Sequence, residues 1–484
     1  VVQSRIHKVY EMIVSDTIWQ PNVADAGKSK YKSLAQAIRE GIVSGQLNAG
    51  EKLPPVRELA YRVGVTPGTV ARAYSVLIDE GRLVAGVGRG TYVAGGAASA
   101  VAIARPPIML DTPNNAPDRV HLLSPKVPDT GQSQLIRDGM QALSRELHPE
   151  HLLRYPTRET DLAAREAFQN EVSPDSVGHF GIDDIVTAHG GQSAIVMILQ
   201  TILHGANPVI AVDELSYGGF RSAALLCRAE VVPLPWDDEG PVVAVFEELI
   251  KSKSVQVYFT ASEVCNPTVK PTAPSRRAEM ARVAERYGVH IIDDDCYRLM
   301  KTDRIGPSYR ALLPELGWYV SSPAKTLTAA LRIGFAIAPQ GWGQALVRTS
   351  TYHSFGVSRM ITDLYAYMLA RPELPEIIEG VKGRVAMDIR AAVNVLGGHR
   401  LNWSEDVPFL WLELPRGWRA AAFCKAAEAS GVLIKPAEDF TLRDGRSVHA
   451  VRIAINGFMS HDAFTEAMDV LRRLLDQPAE QLAT

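Results

Sequence analysis

Cysteine is scarce in this chain. Cys227, Cys265, Cys296 and Cys424 stand far apart among 484 residues. They offer neither the paired spacing of a zinc site nor the density of a disulfide scaffold, so no metal and a reducing, cytoplasmic compartment are expected. Long apolar runs are missing too: no stretch approaches the roughly 20 residues of a membrane-spanning helix. No secretory leader is legible; residues 1–29 read as an N-terminal extension, and Met12 is a plausible start that would leave the first eleven residues upstream of it. Charge of one sign is not in excess, with 51 Lys and Arg against 54 Asp and Glu. These features read as an ordinary soluble globular protein without a membrane-spanning helix. Its length exceeds the ~250–300 residues at which one core stops growing, so two or more domains are expected.

The near-neutral total conceals an asymmetry. Residues 30–95 hold nine Lys and Arg against five Asp and Glu, which leaves the remainder acidic. A basic small domain on an acidic large one suits a nucleic-acid reader attached to a module that does not bind nucleic acid. Three helical stripes follow in that segment. They are Leu34, Ala37, Ile38, Gly41 and Ile42; then Val56, Leu59, Ala60 and Val63; then Val70, Ala73, Tyr74, Leu77 and Ile78. Gly64 stops the second, and Thr66 with Pro67 opens the third as N-cap and first helical residue. The short turn between them fits a helix-turn-helix. EGRLVAGVGRGTYVA, with Arg89 at the tip, reads as a hairpin, the wing.

The run GQLNAGEKLPPVRELAYRVGVTPGTVARAYSVLIDEGRL resembles the GntR family of bacterial winged-helix regulators. That resemblance implies that Arg57, Thr66, Gly68, Thr69 and Arg72 face double-stranded operator DNA, with Arg89 and Gly90 on the wing. The residue types agree, since arginines suit phosphates and guanine edges and small hydroxyls at a helix start suit phosphates. A reader of this kind needs a second copy to reach two half-sites.

Residues 96–125 are rich in Gly, Ala, Pro and Asn without a steady period and read as a linker. From there to the C-terminus, DIVTA, PVIAVD, AEVVPL, VQVYFT, VHIIDDD and WYVSS alternate with helical stretches such as SAIVMILQTILHG and RRAEMARVAERYG. The alternation predicts an α/β domain around a mostly parallel sheet, with ligands bound beyond the carboxyl ends of the strands. The chemically useful residues fall at those ends. His189, Gly190 and Gly191 open a helix after DIVTA; Asn266 follows VQVYFT; Asp293, Asp294 and Asp295 follow VHII; Ser322, Lys325 and Arg332 follow WYVS. A Schiff-base amine, a carboxylate for a pyridine nitrogen, a phenol and an amide for a ring oxygen, and an anion cup are the requirements of a pyridoxal phosphate site.

Order and spacing resemble the fold-type I, class I aminotransferases over residues 135–475. By that resemblance Lys325, in SSPAKTLTAALRIGF, is the catalytic and Schiff-base lysine. Ser322, Arg332, Gly191 and Gln192 bind phosphate. Asp294 meets the pyridinium, Tyr297 and Asn266 the ring oxygen, and Tyr217 the ring face. Arg452, in AVRIAINGF, clamps an effector carboxylate, and Tyr155 reaches the phosphate of a neighbouring subunit. Three departures stand out: Thr160 where a glycine is usual, Ala324 where a serine is common, and a KGRVAMDIRAAVNVL stretch poor in arginine. A GntR-type reader ahead of an aminotransferase-like body resembles the MocR/GabR subfamily of regulators, which implies a head-to-tail homodimer. The function expected is a pyridoxal 5'-phosphate-dependent transcription regulator that senses a small amino compound by aldimine exchange at Lys325, with residual transaminase activity. Two alternatives stay open: a working aminotransferase with a vestigial reader, and a sensor of the vitamin itself. Cys265 and Cys296 are expected to be packing residues.

Overall fold

The computed structural model describes residues 30–86, 90–94, 119–297, 299–300, 303–442 and 448–477. The chain divides into two units, residues 1–112 and 113–484. In the first, α1 (Lys30–Val43), α2 (Val56–Val63) and α3 (Pro67–Asp79) accompany a sheet of β1 (Lys52–Leu53), β2 (Leu83–Gly86) and β3 (Gly90–Val93), ordered β1-β3-β2. Gly64 ends α2 at φ +65°, a left-handed conformation that costs glycine nothing sterically. Thr66 caps α3 by accepting the Thr69 N–H, and Pro67 occupies the first position, where no N–H is needed. Leu34, Ile38, Leu59, Ala60, Val70, Ala73 and Leu77 close a core with Leu53, Leu83 and Val93. β2 and β3 pair antiparallel out to Gly86–Gly90, which makes the expected hairpin. Its tip, with Arg89, lies outside the described residues.

In the second unit the linker read from composition proves too long at its C-terminal end. Within residues 119–125, β4 (Val120–His121) runs parallel to Val432–Leu433, Arg119 pairs with Glu428 and Leu122 is fully buried. Burial of a few apolar residues outweighs the loop-like composition around them. Next come β5 (Ile185–Ala188), β6 (Val209–Asp213), β7 (Glu230–Leu234), β8 (Val255–Thr260), β9 (His290–Asp294), β10 (Gly317–Ser321) and β11 (Gly334–Ile337). They form one sheet ordered β5-β11-β10-β9-β8-β6-β7, parallel throughout except for β11, which opposes both neighbours. All six runs read as strands are strands.

Helices cover both faces, so the strands are apolar on both sides. On β6, Ile210 and Val212 pack with α4 (Gly191–Ile202) and α5 (Gly218–Leu226), while Val209 and Ala211 pack with α6 (Pro274–Tyr287). A smaller sheet follows, ordered β12-β13-β16-β15, from β12 (Leu401–Asn402), β13 (Phe409–Glu413), β15 (Lys435–Pro436) and β16 (Ala450–Ala454), with β14 (Val432–Leu433) beside β4. It shares a core with α7 (Leu374–Leu396), α8 (Ala420–Ala429) and α9 (His461–Leu475).

Candidate functional site

Turns at the carboxyl edge of the large sheet converge. After β5 the chain enters α4 through Gly190, at φ +84°, where a Cβ would lie 2.8 Å from the Arg332 Nη2 atom. Arg332 donates to the His189 carbonyl at 3.3 Å. Gly334 approaches the same turn so closely that a Cβ would stand 2.5 Å from the Gly190 carbonyl carbon. A Cβ on Gly191 would be 3.9 Å from Ser322 Oγ. The helix start at Gly191 and Gln192, the Ser322 hydroxyl and Arg332 therefore surround one small space, floored by bare backbone. The Ser193 hydroxyl, one step further along α4, is buried without a hydrogen-bond partner. Sequence reasoning placed Gly190 at the opening of this helix but passed over Gly334, which is visible in RIGF yet carries no polar group to attract notice.

Strand alternation sorts the three aspartates. Asp293 is buried and accepts from the Ser262 N–H and hydroxyl at 3.0 and 2.8 Å and from the Tyr309 N–H at 3.0 Å. Asp295 accepts from the Tyr319 phenol at 2.8 Å and pairs with Arg304 at 2.6 Å. Asp294 lies between them in sequence and falls on the opposite side of the strand. Burial, then the like charges of Asp295 and Asp293, push its carboxyl up to about 7, against the pull of the Lys325 ammonium. Lys325 ends the short 3-10 turn Pro323–Lys325 that follows β10 and Ser322. Aspartate and lysine thus sit on neighbouring strand ends.

Tyr217 precedes α5, and its ring fills the space that a side chain on Gly219 would take. Gln192 Nε2 donates to the Gly219 carbonyl at 2.8 Å and ties this turn to the cup. Burial raises the Tyr217 phenol, and so do Asp294 and Cys296, while Arg332 and Arg452 act against them; the ring lies among all four. Tyr297 is buried against Phe409, and burial drives its phenol far above the usual range. Arg452, buried on β16, donates to Asn266 Oδ1 at 2.8 Å and to the Leu123 carbonyl, with Phe440 4.9 Å from its guanidinium. The Asn266 oxygen is engaged there, which leaves its amide nitrogen as the end that can donate to a ring oxygen.

Nine of the ten expected cofactor residues, with Arg452, belong to this cluster. Tyr155 is the exception. It is 75% exposed beside Phe355, ring centroids 5.1 Å apart, and is not brought to the others within one chain. The Cys265 thiol, pushed up to about 12 by burial, donates to the Leu215 carbonyl at 3.5 Å. Burial holds Cys296 well above its ordinary value. Cys296 packs against the cluster of Val264, Tyr297 and Phe409. Among the described residues no His, Cys, Asp and Glu group suits a metal, and no helix is long and apolar enough to cross a membrane.

In the first unit, Thr66, Gly68 and Arg72 are exposed and Thr69 is half-buried on α3 and its cap, and Arg57 is exposed in the first turn of α2. The Thr66 and Thr69 hydroxyls share a 2.9 Å hydrogen bond. Arg72 lies over the Tyr31 ring at 4.3 Å, a cation–π contact that holds the guanidinium in place. Gly90 opens β3 at φ +106° beside the Lys52 side chain.

Residues 119–471 match the family described as aminotransferase class I and II, and residues 30–93 match bacterial regulatory proteins of the gntR family. The chain belongs to the aminotransferase class I and II family. With the gntR domain ahead of it, the architecture is that of the MocR-type regulators. The HTH-type transcriptional regulator YdeF of Bacillus subtilis is 25% identical over 95% of this chain and 97% of its own. The probable rhizopine catabolism regulatory protein MocR of Rhizobium meliloti is 26% identical over 70% of this chain and 72% of its own. Among solved structures, the alpha-aminoadipate aminotransferase LysN of Thermus thermophilus, complexed with N-(5'-phosphopyridoxyl)-L-leucine, superposes with a TM-score of 0.63 at 22% identity. It covers 74% of this chain and 92% of its own.

Pyridoxal 5'-phosphate is the cofactor of this fold, and the site fits it. The cup has glycine where side chains would block an anion, a buried hydroxyl lacks a partner, and a recessed carboxylate is short of positive charge.

Proposed function

We propose that this chain is a pyridoxal phosphate-dependent transcription regulator whose body senses a small amino compound. The observation that carries the reading is the convergence of Lys325, Asp294 and the Gly191–Ser322–Arg332 cup in a chain whose first unit has the three helices and paired hairpin strands of a winged helix-turn-helix. When bound, the cofactor supplies an aldehyde that condenses with amines and a ring that accepts electron density. Ser322, Arg332 and the N–H groups of Gly191 and Gln192 hold its phosphate. Asp294 keeps a proton at the pyridine nitrogen, Tyr217 covers the ring, and Tyr297 with Asn266 orients the ring oxygen. Lys325 Nζ would be the amine that holds the cofactor's aldehyde. Arg452 receives a carboxylate on the sensed amino compound.

Arg57, Thr66, Gly68, Thr69, Arg72 and Gly90 face operator DNA, with Arg89 on the wing. Tyr155, exposed beside Phe355, serves the phosphate cup of a second copy in a head-to-tail homodimer. A single lysine at the centre makes the reading testable. Full-length protein soaked in pyridoxal phosphate should turn yellow, and borohydride should fix the cofactor on Lys325. A duplex selected from a random library should be held with an affinity that an amino compound changes, and Lys325→Ala should abolish that change while DNA binding persists. Rapid amino-group turnover without any selected duplex would instead support an aminotransferase with a vestigial reader, for which the intact lysine and aspartate set is the favouring observation. A response to cofactor alone, unaltered by amines, would make the vitamin the signal.

A further inference from the structure

We propose that Asp295 is a positioning residue: it ties the turn carrying Asp294 and Tyr297 to the strand end carrying Ser322 and Lys325, and so fixes the carboxylate-to-lysine spacing that seats the cofactor. The proposal rests on the pyridoxal phosphate reading above. Four links support it. The Asp295 carboxylate accepts from the Tyr319 phenol at 2.8 Å and pairs with Arg304 at 2.6 Å. Its N–H donates to the Val320 carbonyl at 2.8 Å, and its carbonyl accepts from the Ser321 hydroxyl at 3.0 Å. Three of the four reach consecutive residues at the end of β10, immediately before Ser322. β9 and β10 pair directly only as far as Asp294 and Val320. Beyond that register the two strand ends are joined through Asp295 instead of through ladder pairs.

A buried ion pair is a poor way to gain stability, because apolar side chains of similar volume commonly do as well. What an apolar residue cannot supply is directional hydrogen bonding between two loops, together with a negative charge one residue from Asp294. That charge is the nearest in sequence to oppose ionisation of the Asp294 carboxyl, and Arg304 moderates it. Arg304 is itself held between Asp295 and Glu263, the latter at 3.8 Å, so the clamp is braced from behind the site.

The test titrates full-length protein with pyridoxal phosphate and follows the bound cofactor's visible band across pH. Tyr319→Phe removes one hydroxyl and leaves the ion pair. The double variant Asp295→Asn/Arg304→Gln removes both charges together and keeps hydrogen-bonding groups at each position. Cofactor affinity should fall at least about fivefold in Tyr319→Phe, the effect of one lost hydrogen bond. The pH midpoint of the band should move by at least about half a unit in the double variant. Unchanged affinity in Tyr319→Phe overturns the proposal, and so does an unmoved midpoint in a double variant whose circular dichroism matches the parent. If the double variant does not fold, Tyr319→Phe decides, on the same midpoint as well as on affinity. A parent protein that takes up no cofactor overturns the underlying reading and this proposal with it, an outcome that neither variant can mimic.

Discussion

At the level of single residues, the chemistry turns on groups whose surroundings push them away from their ordinary behaviour. Asp294 is the clearest case. Its carboxyl is raised from 3.8 to about 7, chiefly by burial. The folded chain therefore holds a proton that the unfolded chain releases near pH 4. The stability tied to it is fully present below that pH and is lost as pH rises towards 7. Thermal unfolding of cofactor-free protein should shift to lower temperature between about pH 5 and about pH 8, and Asp294→Asn should flatten part of that fall. The rest should persist, because burial also raises Asp213 to about 7 while Tyr258, Trp236 and Thr260 donate to it. A cofactor that brings a protonated nitrogen to Asp294 should stabilise the protein more at the alkaline end, which calorimetry with and without pyridoxal phosphate would register. On the DNA side, Arg57→Ala and Arg72→Ala separate two kinds of contact. Loss of a phosphate contact weakens all duplexes alike and lowers the salt slope by about 1, whereas loss of a base contact costs ~1–3 kcal/mol and relaxes sequence preference. Tyr31→Leu should weaken binding in the same pattern as Arg72→Ala but less, since it removes only the ring under that guanidinium.

At the level of elements, the decisive piece is the approach of β11 to the turn after β5. Gly334→Ala would force a methyl group to 2.5 Å from the backbone of Gly190. Backbone cannot yield as a side-chain tip can, so a loss of ~1–3 kcal/mol in stability is expected, with weakened binding of pyridoxal phosphate and of inorganic phosphate as its competitor. Denaturant unfolding and equilibrium dialysis would measure the two effects. This element also marks where sequence reading stopped. The six strands bounded by polar or turn residues were legible, and the aspartate run, Lys325 and Arg332 drew notice because each followed such a run, whereas Arg452 lies in none of the six and was assigned by resemblance. β11 was not legible: GFAI continues a stretch in which Leu331, Ile333 and Phe335 are all buried, so no change of period announces a strand. The small sheet escaped for a related reason, since β12, β14 and β15 have two residues each, too few to show alternation. The choice of Asp294 over its neighbours came from resemblance alone. Only the partners of Asp293 and Asp295, from Ser262, Tyr309, Tyr319 and Arg304, supply the physical reason.

At the level of the whole molecule, the proposed head-to-tail homodimer brings in a second copy. The proposed exchange of Tyr155 makes this measurable. Leu153, Tyr155, Tyr352 and Phe355 are exposed apolar side chains on one chain, and Phe355→Glu should shift the protein to a monomer in sedimentation. It should also lower cofactor affinity by removing the partner's share of the cup. Dimeric behaviour of that variant with parental affinity would count against the exchange. An effector acts only by favouring one arrangement of the readers over another, and a typical coupling of ~1–3 kcal/mol corresponds to roughly 5–150-fold in DNA affinity. The contact between Arg452 and the Leu123 carbonyl bears on how such a preference travels. Leu123 follows β4, near the start of the described part of the second unit. The guanidinium proposed to receive a carboxylate is thus already a hold on that segment. A carboxylate that drew this donor away would release the Leu123 carbonyl, whereas one that met the other N–H groups of the guanidinium would leave that hold intact.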